Sequence, residues 1–154
     1  MSNSGLIGIL ILLIFVVPIV WVIYNSNNKA KKRKTLVKDL CTKNGMSVDK
    51  PTQVGNALIG IDFRNKKMFY TLIENIEGAF SIIPTENIVT IHVLEETYPG
   101  KEIIQNVILA IDTKEEKYRL KIYDDKSEKL VVTDARACLH EARQWAEQIK
   151  PQLI

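Results

Sequence analysis

Few of the 154 residues could do chemistry, and their spacing narrows the question at once. The histidines are His92 and His140, and the cysteines are Cys41 and Cys138. No His-x-x-x-His or Cys-x-x-Cys arrangement occurs, so the ligand spacing of a zinc site is missing. His92 alternates with Thr90 on one face of a strand-like run, and His140 falls toward the polar side of a helical run. Cys138 lies on an apolar helical stripe and reads as a small core residue. Cys41 stands closer to a run of cations that would favour its thiolate, yet it too belongs to a short apolar stripe. The acidic pairs Glu95-Glu96, Glu115-Glu116 and Asp124-Asp125 fall at strand ends or turns, where charge is well solvated. The seven glycines form no cluster in a strand-to-helix context, so no phosphate-cradling loop is present. These residue types in this pattern point to no catalysis, no metal and no cofactor.

Cations are more informative. Residues 29–43 carry seven Lys/Arg against one Asp, a net of +6, whereas residues 44–154 carry 14 against 17, a net of −3. The overall +3 is therefore a basic collar beside a mildly acidic domain, which argues against a nucleic-acid partner. Lys29, Lys31, Lys32, Arg33 and Lys34 make the collar. Each could contribute about 1 kcal/mol to attraction by anionic lipid, although fixing membrane topology is the simpler role. Arg64, Lys66 and Lys67 form a second, smaller group at a hairpin tip.

The elements that would position these groups begin with residues 6–24, 19 uncharged residues of which 15 are Leu, Ile, Val or Phe. As a helix this run would be roughly 28 Å long, near the hydrocarbon thickness of about 30 Å. Pro18 would kink it, and Trp21 and Tyr24 would suit the headgroup layer at one end. The sequence thus predicts a single-pass transmembrane helix. With no charge in residues 1–5 and the collar following, the amino terminus is expected outside and the large domain in the cytoplasm. A cleaved signal peptide would want its positive charge before the apolar run and small residues after it, and residues 25–28 read Asn-Ser-Asn-Asn.

Residues 25–56 read as a basic juxtamembrane segment, with a short stripe of Leu36, Val37, Leu40 and Cys41 that stops at Asn44-Gly45, then a linker through Pro51 and Gly55. The stripe is only two turns long, so it must pack on something: the domain, the membrane or another copy. Residues 57–150 form the expected domain, followed by a tail at 151–154. Strands are predicted at 57–63, 68–73, 79–83, 87–95, 103–111, 118–123 and 130–132. Val89, Ile91 and Val93 share one face, and 103–111 is apolar enough to be covered on both faces. Asp62 and Asp112 each stand at a strand end, where a carboxylate can cap turn amides. Ala135, Cys138, Leu139, Ala142, Trp145, Ala146 and Ile149 recur at helical steps behind the N-cap candidates Thr133 and Asp134, and Pro151 marks the stop.

The expected fold class is an N-terminal transmembrane α-helix followed by a mainly β domain. The domain has seven strands, as a partly open barrel or two orthogonal sheets, capped by a C-terminal amphipathic α-helix. Four strands, a break at 97–101, three strands and a helix bearing Trp145 resemble the pleckstrin-homology-like superfold. The chain looks like the small single-pass bacterial or phage membrane proteins with such a cytoplasmic domain, whose general style residues 82–88, Ile-Ile-Pro-Thr-Glu-Asn-Ile, also match. The resemblance implies binding of phosphoinositides, peptides or proteins and no enzyme activity. It makes Arg64, Lys66 and Lys67 a candidate ligand-binding loop, the first hairpin of the domain. Met68, Phe69 and Tyr70 depart from it, because a further cation is expected there.

The combined expectation is a membrane-anchored, non-catalytic binding or regulatory module that recognises a protein partner at the cytoplasmic face or self-associates. The alternatives are a structural subunit assembled through its transmembrane helix and an anionic-lipid headgroup binder. In either case Trp21, Tyr24, Lys29, Lys31, Lys32, Arg33 and Lys34 would lie at the membrane interface.

Overall fold

A computed structural model describes residues 3–48 and 50–153, and the side chains among them except those of 3–13, 23, 25–27 and 153. Helix α1 (Asn3–Lys43) is followed by seven strands and helix α2 (Ala135–Leu153). Internal packing divides the chain between Leu36 and Val37.

The first unit, Met1–Leu36, holds most of α1 and corrects the membrane reading. Among the described residues, no helix is long and apolar enough to cross a membrane. The apolar stretch with described side chains begins at Ile14 and ends at Tyr24. Pro18 interrupts this stretch, and Asn25 begins a polar run that leads into the collar. The side chains of 6–13, which would have to supply the rest of the span, lie outside the described ones, as do residues 1 and 2 of the expected outer terminus. The single-pass anchor, the integral-membrane partner and the outside-to-inside orientation are therefore not supported. Trp21 and Tyr24 are exposed, and so are Lys29, Lys31, Lys32 and Lys34, with Arg33 half-buried.

Among the described residues, seven strands are present, and all lie in the second unit, Val37–Ile154. β1 (Thr52–Val54), β2 (Ala57–Asp62), β3 (Lys67–Leu72) and β4 (Ser81–Pro84) form one antiparallel sheet in chain order. β5 (Ile88–Thr97), β6 (Ile104–Thr113) and β7 (Lys117–Asp124) form the second. The core lies between the sheets and α2: Ile59, Met68 and Ile83 from the first sheet, Val107, Leu109, Ile111 and Ile122 from the second, and Cys138, Ala142 and Trp145 from the helix. Alternation puts these side chains on one face of each strand. In β6 the residues from Val107 to Ile111 are all buried, because cross-strand neighbours cover the second face of this central strand.

The seven strands are not the seven read from the sequence. β1 lies in the supposed linker, and the apolar run 130–132 forms no strand. β1 pairs with β2 from Thr52↔Ile59 to Val54↔Ala57. Residues 130–132 are instead held by Asn56, whose Oδ1 accepts the N–H of Val131 and of Val132, both at 2.7 Å. The short stripe before Asn44 packs on the domain: Val37, Cys41 and Met46 are buried, and the Ser47 N–H donates to Asp62 Oδ2 at 2.6 Å. Asp62 also caps its turn, accepting the Asn65 N–H at 3.0 Å. Asp112 does not cap. It pairs with Arg119 at 2.9 Å, and Thr113 Oγ1 accepts the Glu116 N–H at 2.9 Å in its place.

α2 starts where Asp134 Oδ1 accepts the amides of Arg136 and Ala137 at 3.0 and 3.1 Å, an N-cap of the usual kind. It runs through Pro151 to Leu153, one turn past the predicted stop. A proline there loses one hydrogen bond near an end where bonding is already incomplete.

Candidate functional site

The cationic hairpin is the site that the sequence singled out, and the structure disperses it. Because β1 precedes β2, the turn bearing Arg64, Lys66 and Lys67 joins β2 to β3 and is the second hairpin, not the first. The first is the buried Gly55-Asn56 turn. Lys66 pairs with Glu86 at 3.5 Å, and Lys67 Nζ donates to the Asn44 carbonyl at 3.2 Å. Arg64 lines a separate open cleft of about 360 Å³ with Ser47, Lys50 and Asp62. Four amide donors hold the Asp62 carboxyl down at about 2, the Ser47 N–H contributing most, then the side chain and backbone of Asn65, and last the Arg64 N–H. It stays charged there and opposes an anion in the cleft. The three cations do not converge.

The groups considered for chemistry are equally scattered. His92 and His140 are exposed. Burial pushes the Cys41 and Cys138 thiols up to about 11, so both favour the unreactive protonated form. Among the described residues, no group of three or more His, Cys, Asp or Glu is placed to hold a metal ion. A partly open gap of about 60 Å³ lies between the end of β3 and β7, lined by Leu72, Ile122, Leu130 and others. It is well below the roughly 300–1,000 Å³ of an ordinary ligand pocket.

The sheet edges are more distinctive. An edge strand carries unpaired N–H and C=O groups, which proteins normally shorten, cover or occupy. In the first sheet the edges are short: β1 has 3 residues, and β4 has 4 and ends at Pro84, which has no N–H to offer. In the second sheet the edge of β7 is occupied. The Ile122 carbonyl accepts the Asn56 N–H at 3.0 Å, and the Lys121 carbonyl accepts the Tyr70 hydroxyl at 2.5 Å. Burial pushes the Tyr70 hydroxyl up, with the nearby Glu74 charge adding to it, so that it remains a donor.

β5 is different. It is the other edge of the second sheet, 10 residues long, and its only strand neighbour is β6. Among the described residues, no hydrogen bond from outside the sheet reaches its backbone between residues 89 and 97. Register shifts at Ile88/Thr90 and Glu96/Thr97 bound a regular stretch from Thr90 to Glu96. The first shift leaves Val89 without a partner and 49% exposed, so it does not share a buried face with Ile91 as the sequence suggested. The regular stretch is about 20 Å long at 3.3 Å per residue.

α2 supplies a wall beside it. Arg143 Nη2 reaches Glu95 Oε2 at 3.2 Å and ties the helix to the strand. An open cleft of about 480 Å³ lies between them, lined by Glu95 and Thr97 of β5, Lys101 and Glu102 of the following turn, Ile104 of β6, and Arg136 and Leu139 of α2. Ile104 and Leu139 are buried and make an apolar floor, and the charged groups stand around it. Sequence reasoning missed this site. The charges of Glu95, Arg136 and Arg143 were legible only as solvated positions on a strand end and a helix face. One signal was present: 87–95 had no proline or glycine to blunt it.

No family model, curated protein or solved structure matches this chain.

Proposed function

We propose that the domain is a non-catalytic binding module that takes an extended stretch of a protein partner as an additional strand along β5. The observation that carries this reading is the open edge of β5, set against two short edges and one occupied edge. Strand addition uses the backbone groups of the edge for affinity and adjoining pockets for selection among side chains. The β5 edge supplies the first, and the cleft beneath α2 supplies the second. The four-to-three division falls between Pro84 and Ile88, not at 97–101, which lies in the β5–β6 connection. Four strands, three strands and a helix still resemble the pleckstrin-homology-like order, whose members include peptide and protein binders.

Panning a phage-displayed random nonapeptide library against the full chain tests this. Enriched peptides are expected to shift and protect the backbone amides of residues 90–96 in hydrogen-exchange NMR. Failure to enrich any peptide, or protection confined to another surface, would refute the reading.

A further inference from the structure

From the charges of the same cleft we infer that the strand accepted by β5 carries an acidic side chain, held by Arg136 and Lys101, next to an apolar residue seated on Ile104 and Leu139. This inference rests on strand addition to β5 and specifies the partner's chemistry.

The charge distribution carries it. Glu95 is neutralised by Arg143 of α2. Among the described residues, Arg136, Lys101 and Glu102 enter no ion pair. Two free cations therefore face one free carboxylate around an apolar floor. This local excess of positive charge stands on a domain that is otherwise acidic, 14 Lys/Arg against 17 Asp/Glu over residues 44–154. Binding rewards charge of the opposite sign and penalises like charge, so a basic segment would be repelled here and an acidic one drawn in. Arg136 is also the residue best placed to select. It is exposed and lies in the first turn of α2. Its guanidinium can take a carboxylate through two parallel hydrogen bonds.

The library described above also decides this point. Peptides that protect β5 are expected to share one Asp or Glu at a fixed position beside an aliphatic residue. Arg136→Glu should weaken them about tenfold and, in a fresh selection, replace the acid by Lys or Arg. A carboxylate in the first helical turn favours the helix, so this variant is expected to fold. Arg136→Gln repeats the test without charge reversal, and urea unfolding verifies that both variants are intact. Peptides that protect β5 with no acidic position, or whose affinity Arg136→Glu leaves unchanged, would overturn the inference while leaving strand addition standing. If no peptide reaches β5, both fall.

Discussion

Replacing Asn56 with alanine tests the claim that one buried side-chain amide ties the first hairpin to residues 130–132. Asn56 Nδ2 donates to the Val132 carbonyl at 2.8 Å, and Oδ1 accepts the amides of Val131 and Val132. Its own backbone donates to Ile122 and accepts from Ile73, which alanine preserves. Asn56→Ala therefore removes three side-chain hydrogen bonds to backbone groups, which it strands, and a long one from Nδ2 to Cys138 Sγ at 4.0 Å. A hydrogen bond contributes about 1 kcal/mol net, and a buried group left unpaired costs about 1–3 kcal/mol. Val131 is exposed and can recover water, whereas Val132 is half-buried and recovers less. The expected loss is about 2–3 kcal/mol, which for a unit of this size lowers the melting temperature by roughly 10 °C. Urea unfolding followed by fluorescence measures it well, since Trp145 is buried in the core and Trp21 is exposed. The slope of free energy against urea should be unchanged, because the surface exposed on unfolding is the same. A loss below about 0.5 kcal/mol would refute the role given to Asn56 and put in doubt the packing of 130–132 on the first hairpin.

Two further perturbations address neighbouring claims. Gly55 has φ +55°, and a Cβ there would stand 2.6 Å from Ile122 Cγ2 and 3.0 Å from Cys138 Sγ. Gly55→Ala combines left-handed backbone strain with overpacking and should cost about 3 kcal/mol in the same urea assay, where a cost under 1 kcal/mol would contradict the close approach. Asp62 has a carboxyl held at about 2 in the folded domain against an ordinary value near 4 in the unfolded chain. A depressed carboxyl stabilises fully above its unfolded value, and this stabilisation is lost as pH falls from about 4 through about 2. The urea midpoint of the natural protein should therefore drop more steeply over that window than that of Asp62→Asn, and parallel curves would remove Asp62 from the account.

How much of the domain was legible follows from how far apart the interacting residues are. β5 and β7 were readable from their alternation, and β2, β3 and β6 from short apolar runs, both local properties of the chain. α2 was readable because its apolar stripe and Asp134 cap lie within one segment. β1 was not, since three residues beside Gly55 carry too short a pattern to distinguish a strand from a linker. Residues 130–132 have strand-like composition, and only the side chain of Asn56, 75 positions from Val131, decides that they hold a loop conformation. The first unit failed for a related reason. Hydropathy over residues 6–24 predicts a membrane span, whereas among the described residues no helix is long and apolar enough to cross a membrane.

The candidate site divides the same way. Arg64, Lys66 and Lys67 are neighbours in sequence, so they looked like one site, yet Lys66 turns to Glu86 and Lys67 to Asn44. Glu95 and Arg143 are 48 positions apart and meet. By itself the sequence determined the strand and helix periods, the acidic domain behind a basic collar, and the absence of any close metal or nucleophile motif. Only the tertiary structure decided which sheet edges are filled and which cations remain free. Edge occupancy and ion pairing depend on groups brought together from distant positions, and no local period encodes that.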